Sequence, residues 1–334
     1  MEMLDSKPNL FSILVKLMKL RVIVLLQITA ICAILVHDLL SRHGLIEVER
    51  TWYDTFFTML ITIVGGTLSA GGSNAINMWY DSDIDELMSR TKKRPIPSGH
   101  ISPITALIFG ITISLLGSSV FLIIHWKAAF WSFFSVFFYV FIYTIWLKRS
   151  TPQNIVIGGI AGATPPLIGW AAAAAETIDS TNPFDLGSPI PWMLFALIFL
   201  WTPPHFWALA LYRSGEYAKA KVPMMNEVYG PEKTISQSKI YCILLFFLGS
   251  VPCFWPQCGL PLLWAFVAGG LTFWYSKSVW EIDPQEPVDE NGRMPKAAKS
   301  FYRSLYYLGW MFLALVIVTI IPPDLLGYFG PLNY

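Results

Sequence analysis

Three residues whose side-chain oxygens could bind a metal follow one another at four-residue intervals near the end of a long apolar run: Asn77, Asp81 and Asp85. If the helix continues through this acidic motif, the three lie along one face, about 6 Å apart per step. Acids at this spacing repel one another, so we expect a cation between them. Mg²⁺ suits such ligands, because it prefers oxygen and shares its coordination with substrate phosphates. The alternative is a solvated, charged loop between two membrane helices.

Basic residues follow the acidic motif directly and recur in two later polar segments. The six that could contact phosphate oxygens are Arg90, Arg94, Lys148, Arg149, Arg213 and Lys219. Guanidinium groups match phosphate oxygens with two parallel hydrogen bonds, and lysines act as point charges. Taken singly, the two later segments are equally consistent with ordinary cytoplasmic loops. Together with the acids they predict a site for a diphosphate carried by a lipid tail.

The apolar runs between these segments predict an all-α polytopic membrane protein. Of the 334 residues, 54% are hydrophobic and 13% are charged, whereas soluble proteins have about 25% charged residues. A bilayer core of about 30 Å needs about 20 apolar residues per helix. We predict nine spans, at about 20–37, 56–79, 103–125, 128–147, 154–175, 192–212, 239–257, 260–280 and 303–322. They would form a single domain over residues 1–334, in which the helices surround a central cavity.

The distribution of Lys and Arg predicts the orientation of this bundle. With the N-terminus inside, all but three of the 23 cations fall on inner segments, and the outer ones are Arg42, Arg50 and Lys127. Cytoplasmic loops are enriched in Lys and Arg, so we predict an N-in, C-out topology. Residues 1–19 are then a short cytoplasmic segment, and the acidic motif faces the cytoplasm. The expected surroundings are the lipid bilayer, with no nucleic-acid partner.

His205 lies deep within the predicted sixth span, directly after Pro203 and Pro204. Prolines remove backbone donors, so the carbonyl groups they leave free need an internal partner. His205 either bonds those carbonyls or contacts a substrate, since an ionisable residue facing lipid is costly.

The quoted residues resemble the UbiA superfamily of intramembrane prenyltransferases, and in particular its heme branch. Asn77, Asp81 and Asp85 match the first motif of that superfamily, N-x-x-x-D-x-x-x-D. The similarity spans about residues 15–320 and includes segments 83–99, 143–155, 158–170 and 201–210. Most members carry a second D-x-x-x-D after the sixth span. Here that region offers Glu216, where the heme branch commonly has Asp.

This resemblance implies a farnesyltransferase that joins farnesyl diphosphate to a vinyl group of heme B, giving heme O and diphosphate. It implies Mg²⁺ on the acidic motif, with Glu216 as a further catalytic residue and the six basic residues on the diphosphate. It also implies that heme B is a substrate rather than a prosthetic group. We expect three residues on the acceptor side: His205, Tyr212 and Tyr217.

The same resemblance implies a bacterial plasma membrane as the location, and a downstream enzyme of heme A synthesis as a partner. The short N-terminal segment favours the bacterial membrane over the mitochondrial inner membrane. Two alternative functions remain at this stage. One is a prenyltransferase of the same fold that acts on an aromatic or quinone-precursor acceptor. The other is a secondary transporter, because transporters also contain interrupted helices and intramembrane polar residues.

Overall fold

The computed structural model describes residues 9–178, 180–213, 215–250, 262–287, 289 and 293–321, and within these every regular element is helical. The helices are α1 (Leu10–Met18), α2 (Leu20–Arg42), α3 (Trp52–Tyr80), α4 (Ser82–Asp85), α5 (Pro103–Val120), α6 (Trp126–Phe137), α7 (Asn154–Ala163), α8 (Pro165–Ala173), α9 (Ile190–Tyr212), α10 (Glu216–Lys219), α11 (Met225–Ser250), α12 (Leu262–Trp280) and α13 (Pro295–Ile320). Short 3₁₀ segments cover Phe121–Ile123 and Leu147–Arg149, and a π-helix covers Phe138–Trp146. The predicted all-α membrane fold is confirmed.

Seven helical segments of the described chain are long and apolar enough to cross a membrane: Leu20–Arg42, Trp52–Tyr80, Pro103–Ile123, Trp126–Arg149, Asn154–Ala173, Ile190–Tyr212 and Pro295–Ile320. The seventh and eighth predicted spans coincide largely with α11 and α12, and residues 251–261 between them lie outside the described part. The count of nine spans and the N-in, C-out orientation therefore stay predictions. The segment before the first span contains a helix of its own, α1, which the sequence did not predict.

Polar caps mark the start of α3 and of α5. The Thr51 hydroxyl accepts a bond from the Asp54 backbone, and the Asp54 carboxylate accepts one from the Thr51 backbone, so α3 begins with a capping box. Ser102 accepts from the backbone of Thr105 at 3.1 Å, and Pro103 occupies the first helical position. Such caps satisfy amide groups that have no partner within the helix.

Small residues let the helix backbones approach closely around the site. A Cβ atom built on Gly72 of α3 would lie 2.5 Å from the Gly110 carbonyl oxygen of α5, and one on Gly117 would lie 2.3 Å from the Ser69 nitrogen. On α8, a Cβ on Gly169 would lie 2.3 Å from the Ala30 carbonyl oxygen of α2. Contacts this close exclude any side chain, so these glycines fix α3 against α5 and α8 against α2.

Candidate active site

The acidic motif lies at the end of α3, and its residues follow one another along a single helical line. The Asp81 backbone nitrogen donates to the Asn77 carbonyl at 2.9 Å, and that of Asp85 donates to the Asp81 carbonyl at 2.8 Å. Asp81 itself links α3 to the short helix α4. Both carboxylates are fully buried, and Asn77 is 4% exposed. The motif is therefore inside the protein, which excludes the solvated-loop interpretation.

Two predicted basic residues pair with the buried acids. Lys148 contacts Asp81 Oδ2 through its ammonium group, and Arg94 Nη1 donates to both carboxylate oxygens of Asp85 at 2.6 and 2.8 Å. Lys148 comes from the segment after the π-helix, 67 positions from Asp81 in the sequence. The fold thus brings the second basic segment onto the first, as predicted.

Lys19 is a third cation at this site, and the sequence analysis missed it. Its ammonium group donates to Asn77 Oδ1 at 2.8 Å, from the junction between α1 and α2. Burial lowers the pKa of Lys19 well below its ordinary value, and the charges of Arg94 and Lys148 lower it further, against the opposite effect of Asp81 and Asp85. We call the six residues Lys19, Asn77, Asp81, Asp85, Arg94 and Lys148 the inner cluster.

One oxygen of the inner cluster has no hydrogen-bond partner. Asp81 Oδ1 is buried without one, and Arg149 Nη2 lies 3.8 Å from it. The other oxygen, Oδ2, accepts from Asn77 Nδ2 at 2.8 Å. A buried carboxylate oxygen left without a donor costs free energy. A divalent cation would supply the missing partner, so the residues present fit a magnesium ion bound by oxygen ligands.

Arg149 occupies the rim of the inner cluster. Its two terminal nitrogens donate to the two oxygens of Asp83, each at 2.7 Å, and its Nη2 also donates to the Tyr80 carbonyl at 2.9 Å. The hydrogen bond from Arg149 lowers the pKa of Asp83. Since Asp83 is 62% exposed, this pair faces solvent at the mouth of the bundle.

The π-helix turns side chains of the fourth span towards the inner cluster. Asn77 Nδ2 donates to the Thr144 hydroxyl at 3.2 Å, and Tyr139 donates to Asn74 Oδ1 at 3.4 Å, one turn earlier on α3. An α-helix has about 3.6 residues per turn, which would put Tyr139 and Lys148 on opposite faces. The wider turns of a π-helix, in which each amide bonds the carbonyl five residues back, bring both to the α3 side.

The residues of the third basic segment differ in how they lie relative to the acidic motif. Tyr217 packs with Ile84 and Met88 beside the acidic motif, in a cluster that also includes Tyr143. Lys219 is exposed. The backbone of Glu216 begins α10, but its side chain lies outside the part that the structure describes.

Tyr212 and Arg213 lie at the end of α9, away from the acidic motif. Tyr212 packs with Leu211 and Ile235 in a separate cluster, and its hydroxyl accepts from Arg293 Nη1 at 3.4 Å. The Arg213 guanidinium lies 5.4 Å from the Tyr212 ring. The structure therefore places Tyr217 in the apolar cluster that contains Ile84 and Met88, and Tyr212 with the segment before α13.

His205 faces α13 rather than the inner cluster. Its ring stacks between Trp201 at 4.2 Å and Phe301 at 4.8 Å, and its Nδ1 bonds the Ser304 hydroxyl at 2.6 Å. Of the two predicted roles of His205, the structure does not show, among the described residues, bonds to carbonyls freed by Pro203 and Pro204, and the bond that it shows is to a side chain of another helix. The helix itself continues through both prolines.

Arg90 is exposed. It has no ion pair with the acids among the described residues. Of the six predicted diphosphate ligands, the structure thus places Arg94, Lys148 and Arg149 directly at the acidic motif.

A cavity of about 60 Å³ lies deeper in the bundle, along the face of α3 that leads to the motif. From α3 it is lined by Thr62, Gly66, Ser69, Ala70 and Ser73, and Ser73 is one turn before Asn77. Residues of α2, α6, α7 and α8 complete its walls. The arrangement places a mostly apolar chamber beside a polar, cation-lined mouth.

Comparisons with known proteins identify the type of molecule. The family model of the UbiA prenyltransferase family matches residues 44–316. The protoheme IX farnesyltransferase of Bartonella tribocorum is 42% identical over 310 residues, which cover 92% of this chain and 90% of that protein. A solved structure on digeranylgeranylglyceryl phosphate synthase matches with a TM-score of 0.69 and 16% identity, covering 93% of this chain and 98% of that one. A UbiA homolog from Archaeoglobus fulgidus, bound to GPP and Mg²⁺, matches with a TM-score of 0.58 and 14% identity, covering 92% and 100%.

Proposed function

The chain belongs to the UbiA prenyltransferase family, and we propose that it transfers the farnesyl group of farnesyl diphosphate to a vinyl group of heme B, giving heme O and diphosphate. The observation that carries this proposal is the inner cluster, a buried set of oxygen ligands with one unpartnered carboxylate oxygen on Asp81. The acceptor is supported by the curated relatives, which are named protoheme IX farnesyltransferase. We treat the whole chain as one catalytic domain.

We assign the magnesium ligands to the acidic motif, Asn77, Asp81 and Asp85. A bound magnesium ion would neutralise diphosphate charge and so help the allylic carbon–oxygen bond to ionise. The Mg²⁺ and GPP bound by the Archaeoglobus fulgidus homolog support this assignment. Glu216 is proposed as a further catalytic residue from the family resemblance.

The chain's own cations then hold the leaving group. Arg94 and Lys148 already contact the acids, so they lie within reach of a diphosphate held there. Arg149 approaches from the rim, and its exposed pair with Asp83 is weak enough to exchange for phosphate oxygens. Arg90, Arg213 and Lys219 are proposed as outer contributors at the same mouth.

The farnesyl tail is proposed to lie along the α3 face that lines the cavity, from Ser73 towards Gly66. Transfer of a lipid tail from the bilayer to an apolar chamber gains little free energy, because both environments are apolar. Affinity must therefore come from the diphosphate, whereas the shape of the chamber selects the chain length.

The acceptor reacts at the mouth, where the allylic carbon of the farnesyl group separates from diphosphate. Its vinyl carbon attacks the farnesyl carbon, the carbon–oxygen bond to diphosphate breaks, and water then adds to the cation beside the porphyrin with loss of a proton. Tyr217, which packs beside the acidic motif, is proposed on the acceptor side. Tyr212 and His205 retain that assignment as proposals, and His205 would act from its position against Ser304.

The bacterial relatives support a plasma-membrane location, and we propose that the mouth opens to the cytoplasm. An enzyme of heme A synthesis, which consumes heme O, is the proposed downstream partner.

Extraction of hemes from cells expressing this chain tests the function. We expect a farnesylated heme with the chain and none with Asp81→Asn at equal membrane expression. Purified protein should release diphosphate from farnesyl diphosphate only when heme B is present. Transfer to a quinone precursor, with heme B unreactive in an acceptor panel, would overturn the proposed acceptor but retain the prenyltransferase. No diphosphate release with any acceptor would overturn the enzyme.

A further inference from the structure

The junction between α1 and α2 consists of one residue, Lys19, which has a left-handed backbone conformation with φ 54°. A non-glycine residue seldom adopts this conformation, because its Cβ crowds the backbone, and it persists only where surrounding contacts hold it. The turn breaks what would otherwise be one helix from Leu10 to Arg42. It points the Lys19 side chain into the inner cluster instead of along the helix surface.

Contacts from α3 hold this junction in place. Asn74 Nδ2 donates to the Met18 carbonyl at 2.9 Å, a carbonyl that the helix break leaves without an intrahelical partner. Met18 also packs on Gly71, where a Cβ would lie 2.6 Å from its Cε. The buried residues of α1, Ile13 and Leu17, pack in one cluster with Ala75 and Met78 of α3. The break is therefore built against the same helix that carries the acidic motif.

The Lys19 ammonium group covers the only metal-binding atom of Asn77. The Asn77 amide nitrogen donates to Asp81 and to Thr144, which fixes the orientation of the amide. Its oxygen is thereby turned to Lys19 at 2.8 Å. A metal ion binds an amide through oxygen, so Asn77 can join a metal site only after Lys19 leaves that oxygen.

Lys19 is also the cation of the cluster that is least costly to displace. Arg94 and Lys148 each pair with a fully buried carboxylate, and removing either would leave a buried negative charge without its partner. Lys19 instead bonds a neutral amide. Its displacement leaves only an oxygen that the incoming metal satisfies.

We propose that Lys19 is a place-holding cation, which occupies Asn77 in the metal-free protein and moves onto the diphosphate when the metal-bound substrate enters. This inference rests on the proposed function, because it takes the acidic motif as the metal site. With a metal on the acids, Arg94, Lys148 and the metal surround Lys19 with positive charge. The remaining anion within reach of its side chain is the diphosphate.

Two binding measurements on the purified full chain in detergent test this role. Mn²⁺ binding without phosphate is followed by electron paramagnetic resonance, and inorganic pyrophosphate binding is measured in saturating Mg²⁺. For Lys19→Met we expect Mn²⁺ to bind roughly threefold or more tightly, because a competitor is removed, and pyrophosphate to bind about tenfold more weakly. The opposite directions of the two changes are specific to a place-holder.

Matched variants separate this inference from the proposed function. Lys16→Met removes an exposed lysine of the same helix and should leave both affinities at the wild-type values. Asp81→Asn should weaken Mn²⁺ binding strongly, and unchanged binding would overturn the metal site itself. If Asp81→Asn behaves as expected, wild-type behaviour of Lys19→Met, or weaker binding of both ligands, would overturn the place-holder alone. Should Lys19→Met fail to fold, Lys19→Gln is expected to show the same opposite changes, and its failure to do so would be decisive.

Discussion

In the described part of the chain, two buried clusters of charged residues have their hydrogen bonds satisfied in different ways. The outer cluster, defined by His37, Asp38, Arg50, Thr55 and Thr58, lies near the end of α2 that is remote from Lys19. Asp38 Oδ1 contacts His37 Nδ1 at 2.8 Å and Arg50 Nε at 3.1 Å, and Oδ2 accepts from Thr55 at 2.7 Å. Both oxygens of this carboxylate are therefore satisfied.

The inner cluster differs from the outer cluster in two respects. One of its carboxylate oxygens has no hydrogen-bond partner, and one of its cations comes from a distant part of the sequence. Asp81 Oδ1 has no donor, whereas Asp38 has partners on both oxygens. The partners of Asp38 come from within 17 positions in the sequence, whereas Lys148 is 67 positions from Asp81. A carboxylate with partners on both oxygens stabilises one structure, while a carboxylate with an open oxygen and exchangeable cations can accept a ligand. Both clusters contain buried acids, so burial alone does not distinguish a structural cluster from a ligand-binding one.

The largest expected effect is on turnover in Asp81→Asn. Loss of the carboxylate removes a metal ligand, and we expect activity to fall on the order of 1,000-fold or more. Heme O formation per unit of folded membrane protein measures this. Near-normal formation would refute the metal role and would make the inner cluster resemble the outer one.

Removal of metal should also stop the reaction, but reversibly. We expect a chelator to abolish diphosphate release and excess Mg²⁺ to restore it, because the open oxygen of Asp81 needs a divalent partner. Activity that persists after extensive chelation would contradict the assignment.

Asp38→Asn should affect stability rather than chemistry. It leaves the Arg50 guanidinium buried with a neutral partner, and breaking a buried pair costs about 3–5 kcal/mol. Thermal melts in detergent should show a lower Tm for Asp38→Asn while its folded fraction still forms heme O, whereas folded Asp81→Asn at the inner cluster should lose heme O formation. A stable but inactive Asp38→Asn protein would erase the distinction between the clusters.

Arg94→Lys sharpens the comparison within the inner cluster. Lysine keeps the charge but loses the guanidinium geometry that Arg94 uses on both Asp85 oxygens. We expect kcat/KM for farnesyl diphosphate to fall roughly tenfold, with the fold intact. An unchanged kcat/KM would mean that only the charge of Arg94 matters.

The smallest effect is expected at the rim. Asp83 is 62% exposed, and exposed ion pairs contribute about 0.2–1 kcal/mol. Asp83→Asn should therefore change activity and Tm only slightly, although Asp83 lies between Asp81 and Asp85 in the motif. A loss as large as that of Asp81→Asn would show that Asp83, too, belongs to the ligand set.

The sequence by itself determined the membrane fold and the line of Asn77, Asp81 and Asp85, because hydrogen bonds within a helix fix which residues share a face. It also indicated Arg94, which lies nine positions from its partner Asp85. These features depend on local geometry or composition, which a pattern can carry.

Only the tertiary structure decided which distant groups meet the motif. Lys19 is 58 positions from Asn77, and its direction depends on a left-handed residue that no local pattern indicates. The π-helix rotates Lys148 to the same site, and its altered period is not visible in an apolar run. Tyr212 at the end of α9 and Tyr217 in α10 lie only five positions apart, yet they pack in different clusters. Helix rotation and packing set these contacts, and they arise only when the whole bundle assembles.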